Sequence, residues 1–242
     1  SSFHLSNINI SGSDNSHFFM ASSRLNVIKN NLGMMTERHK YKLVYFDAEG
    51  RAEHARWCFE YGGVPYKDQR ITMDEWAGMK SSTPMGSVPV LVINNDRQLW
   101  QSFAIARLAA VEAKLIPEDP VTAAFCDAIV TTIIEFQSAY YKIYFTDKSA
   151  SAKKHAVHNE LYPTILLPAI EPWDQHLINN EWLTSDKGIT WADLGIVSFL
   201  RCLRDTYPSL FHGLPRLDQY IDKICDTPQI RKWIARRPKT PF

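Results

Sequence analysis

Residues 41 to 58 read YKLVYFDAEGRAEHARWC, and the hydrophobic period of this stretch changes at Gly50. From Tyr41 to Phe46 the side chains alternate between two faces, which predicts a β-strand. From Arg51 to Tyr61 the apolar residues recur at helical spacing, and Gly62-Gly63 supplies the left-handed exit that ends many helices. A strand that runs directly into a helix N-terminus is a frequent place for a binding or catalytic site.

The pattern after this unit predicts a small α/β domain. A second strand fits residues 66 to 71, and two further strands, at 88 to 93 and 98 to 100, flank the turn formers Asn94-Asn95-Asp96 and predict a hairpin. A helix is predicted from Phe103 to Ala113, with the Ser102 side chain as its N-cap. The order β-α-β-α-β-β-α predicts a thioredoxin-like sheet, in which a parallel βαβ unit is extended by an antiparallel hairpin.

The remaining sequence predicts a mobile N-terminal extension and an all-α C-terminal domain. Residues 1 to 33 are rich in Ser and Asn and have no sustained period. Leu115 to Pro120 breaks the pattern and predicts a linker, and helical periods follow at 122–147, 153–179, 192–204, 215–225 and 228–236. We therefore expect an extension over residues 1–38, a thioredoxin-like domain over 39–116 and an all-helical domain over 117–242.

The composition argues against several classes of protein. Of the 242 residues, 45% are hydrophobic, which is ample for a buried core, and the formal net charge of +1 gives no field that would attract nucleic acid. The four cysteines are widely spaced without a Cys-x-x-Cys pair, which argues against a zinc site and a disulfide framework. No uninterrupted apolar run approaches the roughly 20 residues of a membrane span, so none is expected.

Tyr45 ends the first strand, where a thioredoxin-like redox protein would soon have its cysteine. The residues that follow, Asp47 to Gly50, contain no cysteine, so disulfide exchange is not expected. A phenol at this position can donate a hydrogen bond to an anion held near the helix N-terminus. Taken alone, a strand tyrosine more often packs in the core, and the pattern leaves both interpretations open.

Three further features can together hold a small peptide, although each also has a plain structural interpretation. Val88-Pro89 predicts either an ordinary strand start or an open edge where a peptide pairs with the Val88 backbone, helped by a cis bond. Gln101-Ser102 can hold a carboxylate at a helix N-terminus or supply a plain N-cap. Trp76 and Lys80, four residues apart, can offer an indole N–H and an ammonium to a second carboxylate, or form a surface pair.

Several longer stretches resemble the sigma class of glutathione transferases, which includes the glutathione-dependent prostaglandin D synthases. The similarity covers residues 39 to 242 and leaves the N-terminal extension unmatched. The motifs that carry it are YKLVYFDAEGRAE, PMGSVPVL, WQSFAIAR, TWADLG and WIARRPKTPF. The resemblance implies the glutathione transferase fold, glutathione as the bound co-substrate, and a homodimer.

The resemblance also implies roles for individual residues. Tyr45 is the implied catalytic tyrosine that activates the glutathione thiol, and Arg51 supports the thiolate. Thr190 and Asp193 match a structural capping box and not a site. The implied glutathione contacts are Trp76 and Lys80 for the glycine end, Gly86, Ser87 and Val88 for the cysteine, Gln101 and Ser102 for the γ-glutamyl carboxylate, and Glu135 of the partner subunit for the γ-glutamyl amine.

The resemblance implies that the electrophile lies in a cleft between the domains, and that hydrophobic electrophiles including prostaglandin H2 are substrates. The implied cleft residues are Phe46, Ala48, Tyr140, Tyr141, Tyr144 and Phe242. As a bare pattern, aromatic residues at helical spacing more often belong to a core. The sequence has Lys142 where vertebrate prostaglandin D synthases have tryptophan, and Thr131 and Ile134 where they have cation-binding carboxylates. We therefore expect no metal site.

The N-terminal extension contains an N-glycosylation acceptor triplet, Asn9-Ile10-Ser11. Together with a likeness to secreted nematode members of the class, it predicts a secreted glycoprotein, with a cytoplasmic enzyme as the alternative. The alternative to an enzyme is a non-catalytic, crystallin-like protein, or a carrier of apolar ligands, on the same scaffold. The enzyme is favoured by the intact set Tyr45, Arg51, Trp76, Gln101 and Ser102.

Overall fold

The computed structural model describes residues 38–185 and 187–240. Asn9, Phe242 and nearly all of the expected N-terminal extension lie outside the described residues. From Lys40 onward the chain forms one compact unit. An α/β half precedes a helical half in this unit, and the order of elements confirms the predicted glutathione transferase fold.

A four-stranded mixed sheet carries the first half. Its strands are β1 (Tyr41–Phe46), β2 (Tyr66–Ile71), β3 (Val90–Ile93) and β4 (Arg97–Trp100), in the spatial order β2-β1-β3-β4. β1 pairs in parallel with β2 and antiparallel with β3, so the first strand lies in the interior of the sheet. Leu43 and Val44 point to opposite faces and both are buried, because other elements cover the two faces here.

Three helices complete the α/β half: α1 (Glu53–Gly62), α2 (Met73–Met79) and α3 (Ser102–Glu112). A single 3-10 turn at Gly50–Ala52 precedes α1. α1 ends at Gly62, and the capping residue Gly63 has a φ of 61°, the left-handed conformation predicted for this exit. These helices and strands follow the β-α-β-α-β-β-α order predicted from the sequence.

The structure favours one of the two interpretations of Pro89, the ordinary strand start, and it corrects the expected N-cap of α3. β3 pairs with β1 on one side and β4 on the other, so Pro89 directly precedes a central strand and does not mark an open edge. Ser102 is the first helical residue of α3, and Gln101 takes the N-cap position without a side-chain hydrogen bond to the helix. A shift of one residue at a helix end leaves the hydrophobic period unchanged, so the pattern did not resolve this boundary.

Helices make up the second half. They are α4 (Pro120–Tyr144), α5 (Ala150–Ala156), α6 (Leu167–His176), α7 (Trp191–Thr206), α8 (Pro215–Cys225) and α9 (Pro228–Arg236). The helical range predicted over 153–179 is confirmed from Lys153 to His176, but a π-helical segment at Val157–Leu166 separates α5 from α6. Pro163 lies in that segment and lacks the N–H that a regular α-helix requires.

α7 forms the centre of the helical half. Every residue from Trp191 to Arg201 is buried. At its N-terminus the Asp193 carboxylate accepts the Thr190 backbone N–H at 2.6 Å and the Tyr220 hydroxyl at 2.5 Å. The structural capping interaction expected between Thr190 and Asp193 is therefore present.

α4 is long and apolar enough, by length and composition alone, to cross a membrane. The sequence-based expectation considered only uninterrupted apolar runs, and polar residues interrupt this helix. Cys126, Val130, Ile133 and Phe136 of α4 are buried in the core. The core helix of a soluble fold passes the same test of length and composition, so the finding is weak evidence for a span.

The carboxylate of Glu53 links the first helix to the end of the chain. It pairs with Arg56 at 3.0 Å, and it accepts the indole N–H groups of Trp57 at 3.0 Å and of Trp233, on α9, at 2.7 Å. Glu53 and Arg56 are both buried. Buried charges of this kind are tolerated only when each finds partners, and here the partners come from α1 and α9.

Glu49 makes a second link from the loop between β1 and α1. Its carboxylate pairs with Arg201 of α7 and, at 2.7 Å, with Arg237, which follows α9. The side chains of Glu49, Arg201 and Arg237 are 7%, 10% and 10% exposed, so solvent screens these pairs little. The loop that follows Tyr45 is thus tied to the helical half of the unit.

Candidate active site

The hydroxyl of Tyr45 lies against the helical turn that follows its own strand. Tyr45 is 8% exposed, and the backbone N–H of Arg51 donates a hydrogen bond of 3.2 Å to its Oη. A phenol oxygen can accept this bond and still donate its own proton to another group. The strand-to-helix junction therefore holds Tyr45 as a hydrogen-bond donor.

The Tyr45 phenol keeps its proton near neutral pH. Burial raises its pKa above the ordinary value of 10.0, and the Arg51 N–H and the charges of Arg51 and Arg56 oppose that rise. The Arg56 guanidinium lies 5.9 Å from the centre of the Tyr45 ring. A protonated phenol in this setting cannot serve as a base, but it can stabilise an anion such as a thiolate by donating to it.

The Arg51 guanidinium is held by α4. Its Nη2 donates to Ser138 Oγ at 2.9 Å, and its Cζ lies 5.7 Å from the centre of the Tyr141 ring. The hydrogen bond to Tyr45 comes from the backbone of Arg51 and not from its side chain. Arg51 therefore orients the phenol through its main chain, while its charge lies between the sheet and α4.

Gly50 leaves room for the Tyr45 hydroxyl. Its φ is +45°, in the left-handed region, and a Cβ at this position would lie 2.6 Å from Tyr45 Oη. In the same loop, the carbonyls of Ala48 and Glu49 accept hydrogen bonds from Arg56 Nη1 at 2.7 and 3.3 Å. The backbone on either side of the phenol is thus fixed by contacts within the α/β half.

Trp76 and Lys80 lie one helical turn apart at the end of α2. The Trp76 indole packs edge-on against Phe46, with the ring centres 5.9 Å apart, and so lies near the end of β1. Lys80 is exposed, and its backbone N–H donates to the Trp76 carbonyl. Both side chains can therefore face a ligand that lies along this helix.

The loop before β3 has an unusual backbone. Met85 and Gly86 have φ of 57° and 54°, and the Val88–Pro89 peptide is cis, the isomer that the sequence analysis considered. Ser87 is exposed and Val88 is half-buried. The β1–β3 ladder ends at the pair Val44–Val90, so Val88 lies beyond it.

The junction between β4 and α3 also departs from ordinary geometry. Gln101 has φ of 72° and ψ of 118°, a conformation that costs a non-glycine residue about 1–3 kcal/mol and that clusters at binding sites. Gln101 is exposed, and Ser102 behind it is half-buried. The Ser102 hydroxyl makes no hydrogen bond with any residue that the structure describes.

Aromatic side chains gather where β1 meets the end of α4. Phe46, Ala48, Tyr141 and Tyr144 are half-buried, as the walls of a cleft would be. Tyr140 is 4% exposed and packs against rings of the core, so it supports this surface from behind. The sequence analysis did not select Phe145, which is 68% exposed and extends the surface beyond Tyr144 at a ring distance of 5.2 Å.

Glu135 and the cysteines complete the residues singled out by the sequence. Glu135 is exposed on α4. Burial raises the pKa of Cys58 and Cys126, and it raises that of Cys202 to about 12 and of Cys225 to about 11. Thiols with such pKa values are poor nucleophiles at neutral pH.

Clusters of metal-binding side chains are absent from residues 38–185 and 187–240. Within these ranges, no group of three His, Cys, Asp or Glu side chains lies close enough together to hold a metal ion. Thr131 donates its hydroxyl to the Asp127 carbonyl at 2.8 Å, and Ile134 is half-buried on the same helix. Neither residue offers the carboxylate that a divalent cation prefers.

Sequence reasoning missed two polar side chains beside the junction. His54 on α1 stacks on the ring of Trp191 at 5.3 Å, and its Nε2 lies 2.8 Å from the Trp191 carbonyl. Gly195 leaves room for this ring, since a Cβ there would lie 2.6 Å from it. Gln137 of α4 is 6% exposed. Neither residue stands out in the sequence, since Glu53 precedes His54 and Ser138 follows Gln137, so the local pattern gives no signal for a partner.

Two protein-family models match the chain. They describe the glutathione S-transferase N-terminal domain, over residues 41–110, and the glutathione S-transferase C-terminal domain, over residues 134–237. The hematopoietic prostaglandin D synthase of Gallus gallus is 34% identical over 207 residues, covering 83% of this chain and 98% of that protein. Glutathione S-transferase 1 of Ascaris suum is 30% identical over 212 residues, covering 84% of this chain and 99% of that protein.

Solved structures show the same likeness. Rat hPGDS complexed with a quinoline superposes with a TM-score of 0.75 at 30% identity, covering 84% of this chain and 100% of that one. The glutathione S-transferase of Ascaris lumbricoides gives a TM-score of 0.73 at 30% identity, with coverage of 84% and 100%. The first family match includes Tyr45, Trp76 and Ser102, and the second includes the aromatic end of α4.

We expect His54 to make the fold less stable in acid. Burial lowers its pKa to about 4, below the ordinary value of 6.5. Between pH 6.5 and pH 4, His54 is therefore protonated in the unfolded chain but neutral in the folded chain. The stability contributed by neutral His54 is complete above pH 6.5 and is lost as the pH falls toward 4. In His54→Gln the side chain cannot titrate, so between pH 7 and pH 4 its unfolding free energy should fall less than that of the wild type. The difference between the two losses should reach about 3 kcal/mol.

Urea unfolding at a series of pH values measures this difference. His155→Gln is the matched control, because His155 is exposed on α5, and this variant should follow the wild-type pH profile. Equal acid losses in His54→Gln and the wild type would contradict the assignment of the buried neutral imidazole.

Proposed function

The chain belongs to the glutathione S-transferase family, and from this premise we propose that it conjugates glutathione to hydrophobic electrophiles. The observation that carries the proposal is the hydrogen bond from the Arg51 N–H to Tyr45 Oη, which leaves the phenolic proton available to a sulfur atom. Glutathione is the co-substrate of the family, and it brings the nucleophile that the chain's own buried thiols do not offer.

Tyr45 acts by favouring the ionised form of the glutathione thiol. A free thiol has a pKa of about 8.5 and is mostly protonated at neutral pH, whereas a hydrogen bond donated to sulfur favours the thiolate. Each unit by which the thiol pKa falls corresponds to about 1.4 kcal/mol of preferential stabilisation of the thiolate. The charges of Arg51 and Arg56, which oppose the rise in the Tyr45 pKa, favour a nearby anion for the same reason.

Glutathione lies, in this proposal, along α2, the loop before β3 and the start of α3. Its sulfur meets Tyr45, and its cysteine backbone pairs with Val88, which lies beyond the end of the β1–β3 ladder. The tripeptide carries one carboxylate at each end, and polar side chains are assigned to each carboxylate. The assigned residues are Trp76 and Lys80 for the glycine end, Gly86 and Ser87 for the loop, and Gln101 and Ser102 for the γ-glutamyl end.

We further propose that prostaglandin H2 is one of the electrophiles. The support is the 34% identity to a protein named hematopoietic prostaglandin D synthase, together with the half-buried rings of Tyr141 and Tyr144, which suit an apolar chain. The thiolate attacks one endoperoxide oxygen, so that the O–O bond breaks and an S–O bond forms. Loss of the proton from the ring carbon that bears this oxygen forms the ketone and expels the thiolate, and the other oxygen takes up a proton.

A homodimer is the assembly that we propose. Exposed apolar side chains mark β4, the end of α3 and the start of α4: Trp100 is 43% exposed, Val111 50%, Val121 61% and Phe125 64%. Arg107 of α3 donates to Asp127 of α4 at 3.1 Å, so the two helices are neighbours on this side. Large exposed apolar groups in one region suit a partner surface, and a second chain would bring Glu135 of the partner subunit toward the γ-glutamyl amine.

Tyr45→Phe removes the phenolic proton and leaves the ring. We expect the kcat/KM for conjugation of an aromatic chloride to fall about a hundredfold, because one hydrogen-bond donor to a developing or stable anion is lost. The Kd for glutathione should change little, since the carboxylate contacts remain. Tyr162→Phe is the matched control, because the Tyr162 hydroxyl donates to the Leu210 carbonyl in the helical half. Wild-type turnover in Tyr45→Phe would refute the mechanism, and no turnover by the wild type would favour a non-catalytic carrier.

With prostaglandin H2 and glutathione as substrates, we expect prostaglandin D2 as the dominant product. The reason is that thiolate attack directs the breakdown of the endoperoxide, whereas the uncatalysed reaction gives a mixture. Chromatography of the products, with Tyr45→Phe and glutathione-free reactions beside the wild type, measures this selectivity. The uncatalysed product ratio in all three would restrict the function to conjugation.

Phe125→Glu should shift the assembly from dimer to monomer, because a charge in a desolvated interface is left without a partner. Sedimentation velocity measures the mass in solution. Ile178→Glu is the matched control, since Ile178 is also an exposed apolar residue, 48% exposed, but follows α6 away from the α3–α4 region. A wild-type protein that sediments as a monomer at all concentrations would contradict the proposed dimer.

An extracellular location is the last part of the proposal, and it rests on the acceptor triplet at Asn9. Protein isolated from its natural source should lose mass on treatment with an N-glycosidase. Asn9→Gln should remove that shift when the chain is expressed through a secretory pathway. An unchanged mass of the native protein would favour the cytoplasmic alternative.

A further inference from the structure

A small cavity lies behind Ser102, among α1, α3, α4 and α7. Its volume is about 10 Å³, which is the space of a single water molecule. Four of its lining side chains can form hydrogen bonds, and the other lining residues are small or apolar. The polar ones are Arg51, His54, Ser102 and Gln137, and the others are Val130, Ile133, Ile134 and Gly195.

Three of these polar groups have no partner among the described residues. Gln137 is 94% buried, since 6% of it is exposed, and its amide makes no hydrogen bond with them. The Ser102 hydroxyl and His54 Nδ1 likewise make none. A buried amide without a partner costs about 1–3 kcal/mol, so native structures nearly always supply one, often an ordered water.

The protonation of His54 follows from its contact with Trp191. A carbonyl can only accept, so the bond of 2.8 Å requires the hydrogen on His54 Nε2. Burial keeps the imidazole neutral, since its pKa is lowered to about 4. Nδ1 of His54 is therefore an acceptor, and the group that completes it must donate.

We propose that one ordered water molecule occupies this cavity and connects His54 and Gln137 to Ser102. The water donates one hydrogen to His54 Nδ1 and the other to Ser102 Oγ, and it accepts from the Gln137 amide N–H. Each of the three polar groups without a partner then gains one. The water makes three hydrogen bonds, which is the usual number for a buried water.

This arrangement gives the Ser102 hydroxyl a direction. Because its oxygen accepts from the water, its own hydrogen is free to point outward toward the γ-glutamyl carboxylate, a role that rests on the proposed function. The Trp191 carbonyl fixes the His54 tautomer, and the tautomer fixes, through the water, the orientation of the Ser102 hydroxyl. His54 and Gln137 are thus positioning residues for the γ-glutamyl end of glutathione, and they do not touch the substrate.

The first test is the water itself. A crystal structure of the full chain, at a resolution that shows ordered solvent, should contain one water between Gln137, His54 and Ser102 in the free and glutathione-bound forms. Gln137→Met keeps the length of the side chain and removes its hydrogen bonds, and its structure should lack this water. A dry cavity in the wild type, or one filled by a shifted side chain, would overturn the proposal.

The second test is a double-mutant cycle on glutathione binding, followed by calorimetry. Gln137→Met should raise the Kd for glutathione about tenfold, because the Ser102 hydroxyl loses its orientation. In the Ser102→Ala background the same change should alter the Kd less than about twofold, because the group it orients is gone. An equal effect in both backgrounds would show a purely structural role of Gln137 and would refute the inference.

A third measurement separates this inference from the proposed thiol chemistry. The pKa of the bound glutathione thiol, read from thiolate absorbance, should be the same in Gln137→Met and the wild type, since Ser102 holds the other end of the tripeptide. A shifted thiol pKa in Gln137→Met would contradict the positioning role. If the wild type binds no glutathione, the proposed function fails while the wild-type density still decides whether the water site exists.

Discussion

The buried ion pair between Glu53 and Arg56 is the interaction on which the site depends. Arg56 also donates to the carbonyls of Ala48 and Glu49, and so it fixes the loop that follows Tyr45. Breaking a buried pair of this kind costs about 3–5 kcal/mol, because the remaining charge is left without a partner in an interior of low dielectric constant. The pair thus sets the geometry of the phenol as well as contributing to stability.

The burial and charges around this loop suit a protein that supplies a hydrogen-bond donor while the ligand supplies the anion. Burial raises the pKa of the chain's own thiols, so they are unreactive at neutral pH. The Tyr45 phenol is also buried and keeps its proton, and its hydroxyl lies against the turn that precedes α1. A protein built in this way stabilises an anion that arrives with a ligand. At the back of the site, neutral His54 can only accept at Nδ1, and through the proposed water it would give Ser102 a defined orientation.

The features that the sequence left open have a common physical origin. The hydrophobic period correctly predicted the strand at residues 41–46 and the helix that follows Gly50, because both patterns depend on neighbours in the chain. It left open whether Pro89 marks an open edge, and it gave no sign of the π-helical segment within residues 153–179, since strand order and local hydrogen-bond registry leave no mark on the period. The glutathione residues are assigned by resemblance, because the periodicity alone leaves open whether Tyr45 is a hydrogen-bond donor or a packed tyrosine.

The sequence by itself determined the types and order of the elements and the strand-to-helix junction at Gly50. These follow from side-chain periodicity and from backbone preferences that act within a few residues. Only the tertiary structure decided that Arg51 binds Ser138 through its side chain and Tyr45 through its backbone, and that Gln137 is buried without a hydrogen-bond partner among the described residues. Such contacts join residues far apart in the chain, and they arise from packing that no local pattern encodes.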